Sequence, residues 1–261
     1  MLKTNKLPRP LPGWPTVLAG LPSTTLFMLL TLLSVSTPIA ADYIRSPSSA
    51  LPAIGALQAP DISARLFQKG LDAYGQGHYQ EAARIWRPLA EQGMSDAQFN
   101  LGALYNNGLG VERDMATAVR WYRKAAEQGY AVAQYNVGVA YARGLGVSSD
   151  AGQAARWWRL AAAQNHSEAQ FSLGLIYANG HGVDTSMSDA ARWWRSAADN
   201  GHAVAQFNLG VLYSKGEGVD KCAVQAVNWW RQSADQGYEQ AIQLLQVLAE
   251  SLKVTRAATQ D

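Results

Sequence analysis

Cysteine is almost absent from this 261-residue chain, where Cys222 stands alone. A lone thiol cannot close a disulfide within its own chain or build a cysteine-rich zinc site, so the fold must rest on packing. Acidic residues are missing from the first 41 positions, which nevertheless carry Lys3, Lys6 and Arg9. The formal charge is +2, and removing those three cations leaves −1. That balance argues against nucleic acid as a partner, because neutralising phosphates needs a clear basic excess. The motifs HExxH, GxSxG and GxxxxGK[ST] do not occur. His78 and His181 fall in turns or glycine-rich loops, and His166 and His202 occupy equivalent turn positions, a pattern that does not build a metal site. Acidic side chains sit at loop ends (Asp114, Asp150) or in last helical turns (Glu127, Asp199) rather than converging. The sequence therefore implies no catalytic residues, no metal and no cofactor.

The basic, acid-free beginning leads into LFMLLTLLSV at residues 26–35. As a helix this run spans about 15 Å, too short for a hydrocarbon core of about 30 Å. Ala40 and Ala41 then precede Asp42, with Ile39 three positions before it. A basic region, a short apolar region and small residues before a cut form a secretory signal over residues 1–41. The alternative is an uncleaved segment that anchors the chain, which would be its only membrane contact. Residues 42–63 are rich in Pro, Ser and Ala without helical or strand periodicity and are read as a linker.

Beyond the linker the sequence repeats. AQFNLGALYNNGLGV begins at Ala97, AQYNVGVAYARGLGV at Ala133, AQFSLGLIYANGHGV at Ala169 and AQFNLGVLYSKGEGV at Ala205, a period of 36. Each unit predicts a first helix, as over Ala97–Asn107, a loop with two glycines, and a second helix, as over Met115–Gln128, ending at a glycine. The units are 97–132, 133–168, 169–204 and 205–240. A shorter first unit, 64–96, has the same landmarks with four residues fewer in the loop. Residues 241–254 form a closing cap and 255–261 a frayed tail. One such unit cannot bury its apolar face alone, so neighbours must stack.

The pattern A-Q-x-x-L-G-x-x-Y-x-x-G-x-G-V followed by A-x-x-W-Y/W-R-x-A-A-x-x-G resembles the Sel1-like repeat, a relative of the tetratricopeptide repeat, over residues 65–240. The short first unit has tetratricopeptide spacing. The resemblance implies an all-α, right-handed α/α superhelical solenoid of two-helix repeats. It also implies an adaptor for other proteins, often in the bacterial envelope, and together with the signal this places the chain in the periplasm or outside the cell. Some disulfide-rich relatives are linked to penicillin binding. This chain has neither their paired cysteines nor SxxK and KTG motifs.

The string ARWWR occurs at 155–159 and 191–195. Turning about 100° per residue puts the second aromatic (Trp86, Tyr122, Trp158, Trp194, Trp230) in the middle of the apolar face, and the first (Trp121, Trp157, Trp193, Trp229) on its flank, at the seam between repeats. The arginines face outward, with i,i+4 pairs expected for Arg87–Glu91, Arg123–Glu127, Arg195–Asp199 and Arg231–Asp235, while Arg159 faces Ala163.

On the first helix, Ala97, Leu101, Leu104 and Tyr105 form the core face. Opposite lies a ladder of aromatic and polar side chains: Phe99, Asn100, Asn106 and Asn107, then Tyr135, Asn136 and Arg143, then Phe171, Ser172 and Asn179, then Phe207, Asn208 and Lys215. First helices line the concave surface of such an array, and asparagine can donate to and accept from an extended peptide backbone. The same rings could instead stack between repeats with the amides capping them. Two functions follow from these readings. One is a non-enzymatic scaffold holding a protein or peptide segment on this surface. The alternative is a cell-wall-directed glycan-binding module or enzyme, related to peptidoglycan or β-lactams, using the rings as platforms.

Overall fold

A computed structural model describes residues 59–258, and every regular element among them is an α-helix. In chain order these are α1 (Ala59–Gly75), α2 (Tyr79–Glu91), α3 (Ser95–Asn107), α4 (Met115–Glu127), α5 (Ala131–Arg143), α6 (Ala151–Ala162), α7 (Ser167–Asn179), α8 (Met187–Asp199), α9 (Ala203–Lys215), α10 (Ala223–Asp235) and α11 (Glu239–Ala258). The signal and most of the linker lie outside the described residues. Among those described, no helix is long and apolar enough to cross a membrane.

The helices fall into two compact units. The larger holds α1 to α6 and α7 as far as Ile176, together with Gly180–Asp184; the smaller holds Tyr177–Asn179 and the chain from Thr185 onward. Within the larger unit α1 packs on α2, α2 on α3, α3 on α4, α4 on α5 and α5 on α6. Within the smaller, α8 packs on α9, α9 on α10 and α10 on α11.

Helices α1, α3, α5 and α9 meet the helix that follows each of them through glycine. A Cβ built on Gly138 would lie 2.4 Å from the indole of Trp158, and one on Gly210 would lie 2.5 Å from Trp230. The bare backbone lets the ring lie flat against the helix, and the indole N–H then donates to a helix carbonyl. Trp86 reaches Phe67 O at 3.3 Å, Trp158 reaches Tyr135 O at 3.1 Å and Trp230 reaches Phe207 O at 3.2 Å. The whole second-aromatic column is buried, as its position on the helical wheel requires. The first-aromatic column is half-buried: Trp121 packs against the core shared by α1, α2 and α3, and Trp157 against that of α3, α4 and α5.

Tyr122 is the exception in the buried column. Its hydroxyl is enclosed and finds no hydrogen-bond partner. Burial pushes its phenol well above the ordinary value of 10.0.

The loop glycines explain the repeat length. In each of Gly110, Gly146, Gly182 and Gly218 the backbone is left-handed, with φ of 68, 68, 75 and 69°. A Cβ on Gly146 would fall 2.5 Å from the Met115 carbonyl, and one on Gly218 would fall 2.2 Å from that of Met187. Gly110 meets Tyr79 and Gln80, and Gly182 meets Ala151 and Gly152, in the same way. The loop of each repeat therefore rests on the first turn of the second helix one repeat earlier. Among the described residues no second helix precedes α1 and α2, and their connection is short, Gln76 to His78, where α3 and α4 are joined by Gly108 to Asp114. At the other end α11 runs on where Gly216 stops α9, and the first turn of α10 is left with Val224 44% exposed.

Three expectations are corrected. Helix α1 begins at Ala59, inside the segment read as linker, with Pro60 in the first turn, where a missing N–H costs no hydrogen bond. α11 continues to Ala258, into the stretch read as frayed. The i,i+4 ion pairs are not formed. Arg87 and Arg195 instead donate to the hydroxyls of Tyr105 and Tyr213 on the following first helix and lie over those rings. An exposed i,i+4 pair is worth only about 0.3–0.5 kcal/mol, less than a hydrogen bond combined with ring contact.

Gly146→Ala is expected to lower stability by about 1–3 kcal/mol more than Gly129→Ala, because both positions are left-handed but only the first Cβ meets a neighbour. Paired thermal melts measure the difference. Tyr122→Phe should raise stability by about 1 kcal/mol at neutral pH by deleting an unsatisfied buried hydroxyl. The gain should widen above pH 10.0, where the unfolded wild-type phenol ionises and the folded one does not. Urea titrations at neutral and alkaline pH test both parts.

Candidate functional site

The candidate face is carried by α3, α5, α7 and α9. Each of these helices ends at a left-handed glycine, Gly108, Gly144, Gly180 or Gly216, whose N–H returns to a carbonyl of the last turn. These helices are apolar on nearly all sides, because each is sandwiched between neighbours. In α3, nine of the thirteen residues are buried.

The rings of the ladder pack within the protein. Phe99 is 1% exposed and stacks on Tyr130, with centroids 5.1 Å apart, and on Tyr122. Tyr135 is half-buried and stacks on His166 at 4.8 Å. Phe207 is buried against Tyr238 at 5.4 Å, and Phe171 is buried as well. Tyr130, His166 and Tyr238 stand at the turn leading into the next first helix. In this role the two histidines are helix caps: Nδ1 of His166 accepts from the Ala169 N–H at 3.4 Å and that of His202 from the Ala205 N–H at 3.2 Å.

Asn100 and Asn208 are each 1% exposed, and Asn136 and Ser172 are also buried. The side-chain amide nitrogens of Asn100, Asn136 and Asn208 are enclosed without a partner. Asn106 is buried and donates to the side chain of half-buried Asn107 at 2.9 Å, while Arg113 donates to the Asn106 carbonyl. Arg143 and Asn179 are exposed, and Lys215 is half-buried with Glu217 at 3.6 Å. The accessible part of the ladder is thus Tyr135 and the last residue of each first helix: Asn107, Arg143, Asn179 and Lys215. Of the carboxylates on these helices, Asp96 at the start of α3 is held above its ordinary value by burial.

The glutamine of the AQFN string has a role that the sequence pattern alone does not reveal. Gln98, Gln134, Gln170 and Gln206 are all buried. Each donates to a carbonyl in the last turn of the preceding second helix: Ala90 at 3.0 Å, Ala126 at 3.1 Å, Ala162 at 3.2 Å and Ala198 at 3.1 Å. In three of them the side-chain oxygen also accepts from the glutamine that ends the following second helix, Gln128 to Gln98 at 2.7 Å, Gln164 to Gln134 at 2.9 Å and Gln236 to Gln206 at 2.7 Å. The signal was available: a long polar residue recurs every 36 positions between two core residues, with a second glutamine 30 positions later in three repeats.

Two-helix units of fixed register, each joined to the next by the same contacts, define a helical repeat protein of the tetratricopeptide-related class. The family model described as the Sel1 repeat matches residues 95–130, 131–166, 167–202 and 203–238, and the chain belongs to that family. The matched segments start with the first residues of α3, α5, α7 and α9, two positions before the repeat starts read from the sequence. Among solved structures, the chain is similar to a Sel1 repeat protein from Oxalobacter formigenes, at 36% identity and a TM-score of 0.63, over 67% of this chain and 70% of that one. It is also similar to a protective antigen of uropathogenic Escherichia coli displaying an SLR fold, at 34% identity and a TM-score of 0.67, over 70% of this chain but only 40% of that one. Comparison with curated proteins gives no match. Sel1 repeats generally mediate protein interactions, and the scaffold is typically non-catalytic.

Replacing Gln134 with leucine should cost about 1–3 kcal/mol, since it removes a buried hydrogen bond to the Ala126 carbonyl, which keeps only the Gly129 N–H, and removes the acceptor for Gln164. Gln164→Ala, at an exposed position, should cost less. Equilibrium unfolding of the two variants ranks them.

Proposed function

We propose that the chain is a non-catalytic adaptor of the bacterial envelope that holds an extended segment of a partner protein along its first helices. The observation that supports this is the accessible polar side chain at the end of each of those largely buried helices. The residue before each C-terminal glycine, Asn107, Arg143, Asn179 or Lys215, is accessible and carries a donor group, repeat after repeat. Asn107 and Arg143 within the larger unit, and Asn179 and Lys215 within the smaller, offer donors that suit the carbonyls and carboxylates of an extended chain. Tyr135 adds a half-buried ring in the larger unit. The buried members of the ladder, Phe99, Asn100, Asn136, Ser172, Phe207 and Asn208, support this face from beneath. Export to the periplasm is part of the same proposal and rests on the signal-like pattern of residues 1–41.

A photo-crosslinking amino acid placed at Arg143 or at Lys215, in the native host, is expected to trap a partner protein, while the same group at exposed Gln225 or Asn228 on α10 should trap none. Equal yields at all four positions refute the assignment.

A further inference from the structure

The chain has four histidines, and imidazole is the side chain whose charge ordinarily changes between about pH 5 and 8. His78 and His181 are exposed, and His78 precedes α2 without a side-chain cap. His166 and His202 are half-buried and cap α7 and α9 with the imidazole. At the equivalent places before α3 and α5, Met94 and Tyr130 make no side-chain cap. Two first helices therefore start on a nitrogen that accepts only while it carries no proton.

The two caps are not equal. The Ala169 N–H is shared, donating to the His166 carbonyl at 3.1 Å as well as to Nδ1 at 3.4 Å. A carboxylate oxygen of Glu168 lies 3.5 Å from that Nδ1, and the ring rests on Tyr135 of α5. The Ala205 N–H donates to Nδ1 of His202 at 3.2 Å, and Val204 stands where α7 has Glu168. Helix α9 has no acid in its first turn. The helices packed on it carry Asp199 at the end of α8 and Asp235 at the end of α10, both exposed, and Glu239 at the start of α11 is exposed as well. Next to Ala205 is Gln206, which donates to the Ala198 carbonyl of α8 at 3.1 Å and accepts from Gln236, after α10, at 2.7 Å.

We propose that His202 is an acid-sensitive latch on the start of α9, whose protonation removes the cap and loosens the Gln206 contacts that hold α8 and α10. An imidazolium donates from both nitrogens, so Nδ1 can no longer accept from Ala205. Its charge also opposes the positive end of the helix dipole. A ring that must stay neutral to cap takes up a proton less readily in the folded chain than in the unfolded one. The cap's contribution is therefore complete above about pH 6.5, the ordinary imidazole value, and is lost as the pH falls below it. At His166 the Glu168 carboxylate accepts from the protonated ring and the His166 carbonyl keeps the Ala169 N–H, so the start of α7 holds. The latch uses none of the side chains proposed to meet a partner.

The test uses the full chain. Hydrogen exchange of the Ala205 and Gln206 amides, corrected for its intrinsic pH dependence, reports on the first turn of α9. Wild type is expected to lose protection there about fivefold between about pH 7.5 and 5.5. His202→Asn, whose side chain caps at any pH, should stay level. His166→Asn and His181→Asn, the second at an exposed loop position, should follow wild type. A second measurement needs no variant: the His202 imidazole, followed by NMR, should titrate about one pH unit lower in the folded chain than in urea. An unchanged titration overturns the proposal. So does the same loss of protection in His202→Asn as in wild type, or a loss that His166→Asn abolishes.

Discussion

The last turn of an α-helix leaves carbonyls without partners, and a helix end buried in a protein must find donors elsewhere. Here backbone N–H groups of the following turn and one side-chain type share that need. The buried glutamine near the start of each first helix donates to a last-turn carbonyl of the helix before it. In three repeats its oxygen also accepts from the glutamine at the end of the helix after it. Three consecutive helices are thereby fixed by one side chain, at distances that allow no sliding by a helical turn. The tryptophan–glycine contact brings the helices of a pair close together, but apolar surfaces tolerate shifts that a buried amide does not. Register therefore follows from the glutamine and volume from the ring.

The repeat length, the two helices of each unit and the buried aromatic column were legible before the coordinates, because each is a periodic property of the sequence. The ladder on the first helices was legible as a pattern but not in its exposure. A helical wheel shows that Phe99 and Asn100 lie away from Leu101 and Leu104, yet it cannot show that Tyr130, from the turn of the next repeat, covers Phe99. The arginine pairs were misread for a related reason. A wheel compares residues on one helix, while Arg87 and Arg195 were drawn to tyrosines 18 residues away on another. The short first unit is legible as four residues fewer, whereas the contact made by the longer loops, Gly110 against Tyr79, is not.

Function in this family resides in what is left over once the repeats have packed. The string ARWWR looks like a site and consists mainly of fold: Trp158 and Trp194 are buried and Trp157 and Trp193 half-buried. What remains accessible differs from repeat to repeat, Asn107 against Arg143 against Lys215 on the first helices, and Lys124 against Leu160 against Gln232 on the second. The backbone thus repeats while its surface chemistry does not, and partner choice can vary without touching the glutamines, glycines or rings.

The landing of each glycine loop on the repeat before it has a consequence for how such chains change length. Every contact of this type joins a repeat to its immediate neighbour through backbone atoms, Gly146 to Met115 and Gly218 to Met187. An in-frame duplication or loss of one 36-residue module recreates the same junction whatever side chains the module carries. Growth and shortening by recombination are therefore close to neutral for folding, provided the short-looped α1–α2 pair stays ahead of the modules and α11 behind them. Modules can be gained for their surfaces alone.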